Sequence, residues 1–231
     1  MLMSSADASA LLLSVKLACV TTMVLMAIGI PLAWWLARSR GFVASMANVL
    51  VALPLVLPPS VLGFYLLLAM GPNGPIGAVT QSMSIGSLAF SFEGLVVASV
   101  LYSLPFVVQP LQAAFASVPQ RMLDATATLG TKPMEVFLRV ALPMSRRGLL
   151  VSAILGFAHT IGEFGVVLMI GGSIPDETRV VSVQIYDHVE ALDYASAHQL
   201  SLTLVVFSIL VLTLVYWIWD GSHSRSSEAA Q

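Results

Sequence analysis

Two ionisable side chains lie inside long apolar stretches of the sequence, and they are the first candidates for chemistry. Glu163 is the only carboxylate within such a stretch, and Lys16 lies at a similar depth in another. Charges are costly inside a membrane and therefore tend to have a function there. Since an unpaired buried charge costs several kcal/mol, we expect Lys16 and Glu163 to form an ion pair, or each to find another polar partner inside a helix bundle.

Small and titratable residues surround Glu163. Gly162 and Gly165 flank it and allow either close helix packing or a hinge at a gate. His159 lies one turn earlier on the same helical face, so it is either a proton-sensitive partner of Glu163 or a satisfied packing residue. The spacing of the histidines does not match a metal-ligand pattern, and no metal site is expected; they are His159, His188, His198 and His223.

Proline and polar residues in two other apolar stretches are candidates for lining a path through the membrane. The run Pro58, Pro59, Ser60 should interrupt a helix because proline lacks a backbone N–H. The freed backbone groups and the hydroxyl could then face a cavity, where neutral donors bind an anion without trapping it; the alternative is a plain structural kink. Gln109 and Gln112 either join this path or form interhelical hydrogen bonds.

Composition shows what kind of molecule must position these residues. Of the 231 residues, 58% are hydrophobic and 10% are charged, and the mean hydropathy is +0.91, whereas about a quarter of the residues in soluble domains are charged. We therefore expect an all-α integral membrane protein, which excludes a water-soluble globule and a large catalytic domain outside the membrane. The net charge of −2 and the pI near 6.0 argue against a nucleic-acid binder.

Five stretches are long enough to cross about 30 Å of hydrocarbon as helices. The second and third contain prolines, among them Pro58, Pro105 and Pro110, so we expect them to be broken or bent. The predicted spans are residues 11–37, 43–70, 95–116, 149–170 and 200–219. Residues 173–199 are expected to form either a short amphipathic helix on the outer face or a solvated connector, and the polar tail 221–231 is expected to be disordered.

The basic residues set the predicted orientation, because short loops rich in Lys and Arg stay on the cytoplasmic side. Eight basic residues fall on one side of a five-span arrangement, and Arg179 falls on the other. The predicted N-terminus is therefore outside and the C-terminus cytoplasmic. The eight are Arg38, Arg40, Arg121, Lys132, Arg139, Arg146, Arg147 and Arg225.

The connection between the third and fourth spans, residues 117–148, is long and rich in helix formers. A first helix is predicted to run to a glycine cap at Gly130. A second is predicted to open at Lys132-Pro133 and to end at Leu142-Pro143. Two such amphipathic helices cannot bury their apolar faces alone, so we expect them to dock on a cytoplasmic partner or on the inner ends of the spans.

A motif in this connection resembles the cytoplasmic loop of ABC importer permeases. That motif is Glu-Ala-Ala, three residues, Gly, nine residues and Ile-x-Leu-Pro. The sequence has the same spacing, with Asp for Glu, Thr for the second Ala and Val for Ile; the matching residues are Asp124, Ala125, Thr126, Gly130, Val140, Leu142 and Pro143. The resemblance implies that residues 117–148, which we call the coupling loop, contact an ATPase.

Other stretches resemble the molybdate permease subunits of molybdate and tungstate importers. They cover residues 53–65, 76–77, 90–92, 162–165 and 174–179. The resemblance extends over residues 11–219 and implies a type I ABC importer transmembrane domain there. It also implies a homodimer, two copies of a separate ATPase, and an external oxyanion-binding protein. The five-span length suits this family better than the similar, longer sulfate permeases.

The same residues then suggest a transport function. The sequence contains no Gly-x-x-x-x-Gly-Lys-Ser/Thr loop, so we expect no ATPase activity and no bound cofactor, with ATP and magnesium used by the partner. We expect alternating access across the bacterial cytoplasmic membrane, with a gate or path at Pro58, Pro59, Ser60, Gln109, Gly162, Glu163 and Gly165. The alternatives are a sulfate or thiosulfate permease and a non-transporting membrane anchor or receptor.

Overall fold

The computed structural model describes residues 4–83, 86–128 and 130–220, and these residues contain helices and no strand. The predicted disordered tail, 221–231, lies outside them. The helices are α1 (Ser5–Arg38), α2 (Phe42–Val56), α3 (Pro59–Met70), α4 (Pro75–Ser82), α5 (Phe92–Ala116), α6 (Gln120–Thr128), α7 (Pro133–Val136), α8 (Leu142–Met144), α9 (Arg146–Gly162), α10 (Gly165–Gly171), α11 (Val181–Glu190) and α12 (Tyr194–Asp220), with a π-helical turn at Phe137–Ala141.

Helices α1, α5 and α9 form the centre of the bundle. Leu25, Val107 and Leu111 are fully buried where the three helices meet. The helices approach closely because Gly156 faces a neighbour: a Cβ added there would lie 2.5 Å from Val107 Cγ2. Small residues at such crossings let membrane helices gain close packing without a side chain in the way. This core holds α5 and α9 together, and the candidate site lies between them.

Four helical tracts among the described residues are long and apolar enough to cross a membrane: Ser5–Arg38, Pro59–Ser82, Phe92–Ala116 and Tyr194–Ile218. A fifth crossing would combine Pro133–Met144 with Arg146–Gly162, which are bent by 73° relative to each other. The prediction of about five membrane helices agrees with this range of four to five.

Two of the predicted spans are interrupted, the second and the fourth. The second span does break, between α2 and α3 at Leu57 and Pro58, as the prolines predicted. The third span does not break: α5 is one continuous helix that contains Pro105 and Pro110. Its packing against α1 and α9 holds the helix where proline removes a backbone hydrogen bond. The fourth span is divided into α9 and α10 at Glu163 and Phe164, beside Gly162 and Gly165, where the sequence allowed a hinge.

The coupling loop forms the predicted helices with one correction. α6 ends at Thr128, Gly130 has φ +74°, and Lys132 precedes Pro133 at the start of α7. The second helix does not end at Leu142-Pro143, because the chain passes through the π-helical turn, where the Leu142 N–H bonds to the Phe137 carbonyl, and the helical tract continues to Met144. The chain then bends into α9 at Ser145.

The coupling loop packs on the ends of α1 and α5, which confirms one of its two predicted docking surfaces. Trp34 of α1 lies 5.5 Å from Phe115 of α5 and 5.0 Å from Phe137, measured between ring centroids. The loop has its own buried side chains, which are Val118, Leu123, Val136 and Ala141. We call this the basic end of the bundle, since all the described basic residues except Lys16 and Arg179 lie on or beside it.

The opposite end, which we call the acidic end, carries the predicted amphipathic helix. α11 runs from Val181 to Glu190. The N-terminal part of α1 holds it: Asp7 is buried and accepts a hydrogen bond from Gln184 at 3.0 Å, while His188 lies 2.8 Å from the same oxygen. The backbone N–H of Val181 donates to Ser14 Oγ at 2.8 Å.

Candidate functional site

The carboxylate of Glu163 lies at the break between α9 and α10 and is 3% exposed. Two serines one turn apart on α5 donate to it. Ser99 Oγ lies 2.6 Å from Oε2, and Ser103 Oγ donates to Oε1. A buried carboxylate needs such partners, because desolvation without them is strongly unfavourable. Glu163 therefore anchors the broken span to the continuous helix α5.

His159 completes this polar cluster. Its Nδ1 lies 2.8 Å from Ser103 Oγ and 3.4 Å from Glu163 Oε1. Its ring stacks on Phe106, with centroids 3.7 Å apart and planes inclined by 23°. Thr160 Oγ1 is 3.1 Å from Ser103 Oγ. We call Ser99, Ser103, His159, Thr160 and Glu163 the Glu163 cluster. His159 thus both packs against an aromatic ring and contacts the carboxylate.

The predicted ion pair between Lys16 and Glu163 is wrong. Lys16 is exposed, and its Nζ lies over the Phe92 ring, 4.4 Å from the centroid. Within the described ranges no carboxylate lies within 4 Å of Lys16, and Glu163 is held by hydroxyl groups instead. Neutral donors satisfy the carboxylate without the desolvation of a second charge, and the long lysine side chain can reach an aromatic face near the membrane surface.

The main chain of Glu163 is also held. A carbonyl at a helix end lacks its intrahelical partner, and the Glu163 carbonyl accepts a hydrogen bond from Ser182 Oγ of α11. The break therefore contacts α5 through the side chain of Glu163 and α11 through its backbone. This arrangement connects the acidic-end helix directly to the interruption in the span.

The two helix breaks of the bundle lie side by side. A Cβ added to Gly165, at the start of α10, would lie 2.9 Å from Pro59 Cβ and 3.7 Å from Ser60 N, at the start of α3. One turn further, a Cβ on Gly63 would lie 2.7 Å from Met169 Cβ. Glycines thus allow α3 and α10 to pack closely. Five of the predicted path residues are brought together here: Pro58, Pro59, Ser60, Glu163 and Gly165.

The other two predicted path residues differ in surroundings. Gly162 is exposed, and a Cβ there would meet open space, so it does not serve helix packing. Gln109 is exposed on α5, six residues from Ser103 and thus about 9 Å further toward the basic end. Neither Gln109 nor Gln112 forms a hydrogen bond in the part of the chain that the structure describes. The structure does not bring Gln109 to the two breaks.

Polar contacts hold Arg179, Asp187 and Asp193 at the acidic end. Arg179 Nε lies 3.3 Å from Asp187 Oδ2 and donates to Ser173 Oγ at 2.8 Å. Hydrogen bonds from Ser196 lower the pKa of Asp193, which immediately precedes α12. A carboxylate there also favours the start of a helix. These contacts fix the segment between α10 and α12 as an ordered surface.

The motif residues of the coupling loop divide into exposed and half-buried positions. Asp124 and Ala125 are exposed, and Asp124 accepts a hydrogen bond from Gln120 at 2.8 Å. Val140 packs against the buried side chains of the loop, Leu142 packs against the core formed by α1, α2 and α5, and Pro143 is exposed. Thr126 Oγ1 donates to the Leu123 carbonyl at 2.8 Å. Large apolar side chains are also exposed on the loop surface: Met122, Met134, Leu138 and Met144.

Comparison with known proteins places this fold and loop in a family. Residues 29–226 match the family model described as the binding-protein-dependent transport system inner membrane component. The chain belongs to this family. It is accordingly a multi-pass protein of the inner membrane and a component of an ABC transporter.

Two relatives and one solved structure show how far the similarity reaches. The chain is 56% identical over 214 residues to the molybdenum transport system permease protein ModB of Azotobacter vinelandii, covering 93% of this chain and 95% of the relative. It is 31% identical to the probable sulfate transport system permease protein cysT of Zygnema circumcarinatum, covering 83% of this chain and 66% of the relative. The crystal structure of a bacterial alginate ABC transporter with its substrate-bound periplasmic protein has a TM-score of 0.75 at 13% identity, covering 92% of this chain and 77% of that one, and shows the shared fold.

Sequence reasoning missed Ser99, Ser103 and Ser182. Serines are frequent in membrane helices, so single serines carry little signal. The spacing of Ser99 and Ser103 by four residues on the third predicted span was the available indication that one helical face is polar. Nothing in the sequence indicates that Ser182 contacts the carbonyl of Glu163.

Proposed function

We propose that this chain is the permease subunit of an ABC importer that moves molybdate, and tungstate as its close analogue, into the cell. The observation that carries the proposal is the high identity to the Azotobacter molybdenum permease along almost the whole chain, well above the identity to the sulfate relative. The paired helix breaks support it, because interrupted helices expose backbone donors at the midplane of transporters.

The assembly that we propose contains two copies of this chain, two ATPase subunits and an external binding protein. The sequence has no phosphate-binding loop of its own, so the partner ATPase binds and hydrolyses ATP with magnesium, and this chain holds no cofactor. The coupling loop offers a surface for the ATPase, since Met122, Met134 and Leu138 are exposed there. The basic end then faces the cytoplasm and the acidic end faces the binding protein.

Force would pass from the coupling loop to the breaks along α1 and α5. The loop is packed on Trp34 and Phe115, so a displacement of the loop moves the ends of both helices. α5 carries Ser99 and Ser103, which hold Glu163. Packed interfaces tend to switch between discrete arrangements. A movement of α5 would therefore shift the break at Glu163 against the break at Pro58.

Glu163 has a gating or structural role in this proposal and does not contact the ion. Its carboxylate is turned toward α5 and surrounded by donors, whereas an exposed carboxylate would repel a dianion. Pro58 and Ser60 are exposed at the facing break. The hydroxyl and backbone N–H of Ser60 are neutral donors, which suit an oxyanion that must be released again.

A complementation experiment tests the substrate. Cells lacking this chain are grown with limiting molybdate, tungstate or sulfate, and their molybdenum, tungsten and sulfur contents are measured with and without the intact protein. We expect a selective loss of molybdenum that the protein restores. Normal molybdenum with a sulfur defect would assign the chain to sulfate or thiosulfate import, and no defect in any ion would favour a non-transporting anchor.

A further inference from the structure

An open pocket lies at the bend between α8 and α9. Its cavity of about 540 Å³ is lined by Arg139, Val140, Pro143, Met144, Arg146 and Arg147, and we call it the arginine pocket. The 73° angle between the helical tracts on either side of Ser145 brings Arg139 from one tract and Arg146 and Arg147 from the other to the same cavity. The bend thus gathers three positive charges that lie apart along the sequence.

These three guanidinium groups have no protein partner in the ranges 4–83, 86–128 and 130–220. No carboxylate lies within 4 Å of them and no hydrogen bond involves their side chains there. Two other arginines are engaged: Arg179 pairs with Asp187, and Arg38 stacks on Trp34. Three like charges in one cavity repel one another unless an anion joins them. The arginine pocket therefore has the charge and the free donors of an anion site.

The position of the pocket indicates the source of the anion. Arg146 and Arg147 are the first residues of α9, where the chain enters the apolar bundle. Leu150, one turn further, is 50% exposed, and Met144 on the rim is 47% exposed. A cationic cavity next to outward-facing apolar side chains has the layering of a membrane surface, with headgroups above acyl chains.

We propose that the arginine pocket binds the phosphate of an anionic phospholipid headgroup. The guanidinium group offers paired N–H donors that match phosphate oxygens, and exposed Leu150 and Met144 lie where the acyl chains would begin. A lipid bound there would hold the coupling loop at a fixed angle to α9. The proposal concerns the membrane around the protein and does not depend on the identity of the transported ion.

Lipid binding to the full chain in dodecyl maltoside micelles tests this proposal. The protein is titrated with dioleoylphosphatidylglycerol, with dioleoylphosphatidylcholine and with free glycerol phosphate, and bound lipid is measured by native mass spectrometry and by the shift in Tm. The variant R139Q/R146Q/R147Q is compared with R40Q/R121Q/K132Q, which removes the same charge at the basic end but away from the cavity. The variant R139K/R146K/R147K keeps the charge and removes the paired donors.

We expect phosphatidylglycerol to bind more tightly than phosphatidylcholine, and each arginine to contribute about fivefold to this affinity. The R139Q/R146Q/R147Q variant should lose the preference, the distant variant should keep most of it, and the lysine variant should be intermediate. Equal binding of the two lipids, or equal loss in both glutamine variants, would overturn the proposal. Equal binding of free glycerol phosphate would show a small-anion site instead. If the R139Q/R146Q/R147Q variant binds lipid as before but no longer retains the partner ATPase on purification, the arginine pocket is a protein contact instead.

Discussion

Replacing Ser99 with alanine tests whether the Glu163 cluster holds the broken span. Ser99 is fully buried on α5, and its hydroxyl donates to Glu163 Oε2 at 2.6 Å. A hydrogen bond to a charged group contributes about 1.5–3 kcal/mol to stability. An ordinary hydrogen bond between membrane helices averages only about 0.6 kcal/mol. If the carboxylate is charged in the folded bundle, Ser99→Ala should therefore lower the free energy of unfolding by about 2 kcal/mol.

The chain offers a closely matched control. Ser152 is also fully buried, on α9, but its hydroxyl has no hydrogen-bond partner in the described part of the chain. Ser152→Ala removes the same atom without breaking a bond, so we expect no loss of stability, because an unsatisfied buried hydroxyl is itself unfavourable. The difference between the two variants then isolates the bond to Glu163 from the change in volume.

Reversible unfolding with sodium dodecyl sulfate in mixed micelles measures both variants. A double-mutant cycle with Glu163→Gln adds a second readout, since the cost of Ser99→Ala should shrink when the charge on its partner is gone. Equal stabilities of Ser99→Ala and Ser152→Ala would refute the reasoning. An unchanged cost of Ser99→Ala in the Glu163→Gln background would show that the charge of Glu163 does not contribute.

Three further substitutions, one of them with a matched control, test the breaks and the coupling loop. Gly165→Val should reduce transport severely because its side chain would overlap Pro59, whereas Gly162→Val, which faces open space, should transport normally; ion uptake by cells compares the two. Gly130→Ala forces a side chain into the left-handed region at φ +74° and should destabilise the coupling loop by about 1 kcal/mol, seen as weaker retention of the partner ATPase on purification. Ser182→Ala removes the hydrogen bond to the carbonyl at the break and should slow uptake without changing the amount of protein in the membrane; an unchanged uptake rate would separate α11 from gating.

The fold could be predicted from the sequence where the signal is local. The break at Pro58 follows from the missing backbone donor of proline, and the turn at Gly130 follows from the freedom of glycine to adopt positive φ. The break at Glu163 and Phe164 contains no proline that would predict it. It exists because Ser182 and the two serines of α5 hold the interrupted chain, and those contacts join residues that are distant in sequence.

Two outcomes depend on tertiary packing that the sequence does not show. The expected pairing of Lys16 with Glu163 relied on matching depth in the membrane, but depth does not give the direction in which a side chain points around its helix. Lys16 lies on the exposed side of α1, on the Phe92 ring. Pro105 and Pro110 were expected to break or bend the third span; it is not broken, because packing against α1 and α9 keeps α5 continuous. Burial and helix rotation, which depend on tertiary packing, decided both cases.

Uptake into proteoliposomes tests the central claim most directly. The chain and its partner ATPase are reconstituted into liposomes that enclose ATP. The binding protein and labelled molybdate are added outside. We predict that molybdate accumulates only when ATP and this chain are present. Tungstate should compete with this accumulation, and excess sulfate should leave it unchanged. Accumulation of labelled sulfate in place of molybdate, or no ATP-dependent accumulation of either ion by an assembled complex, would contradict the account.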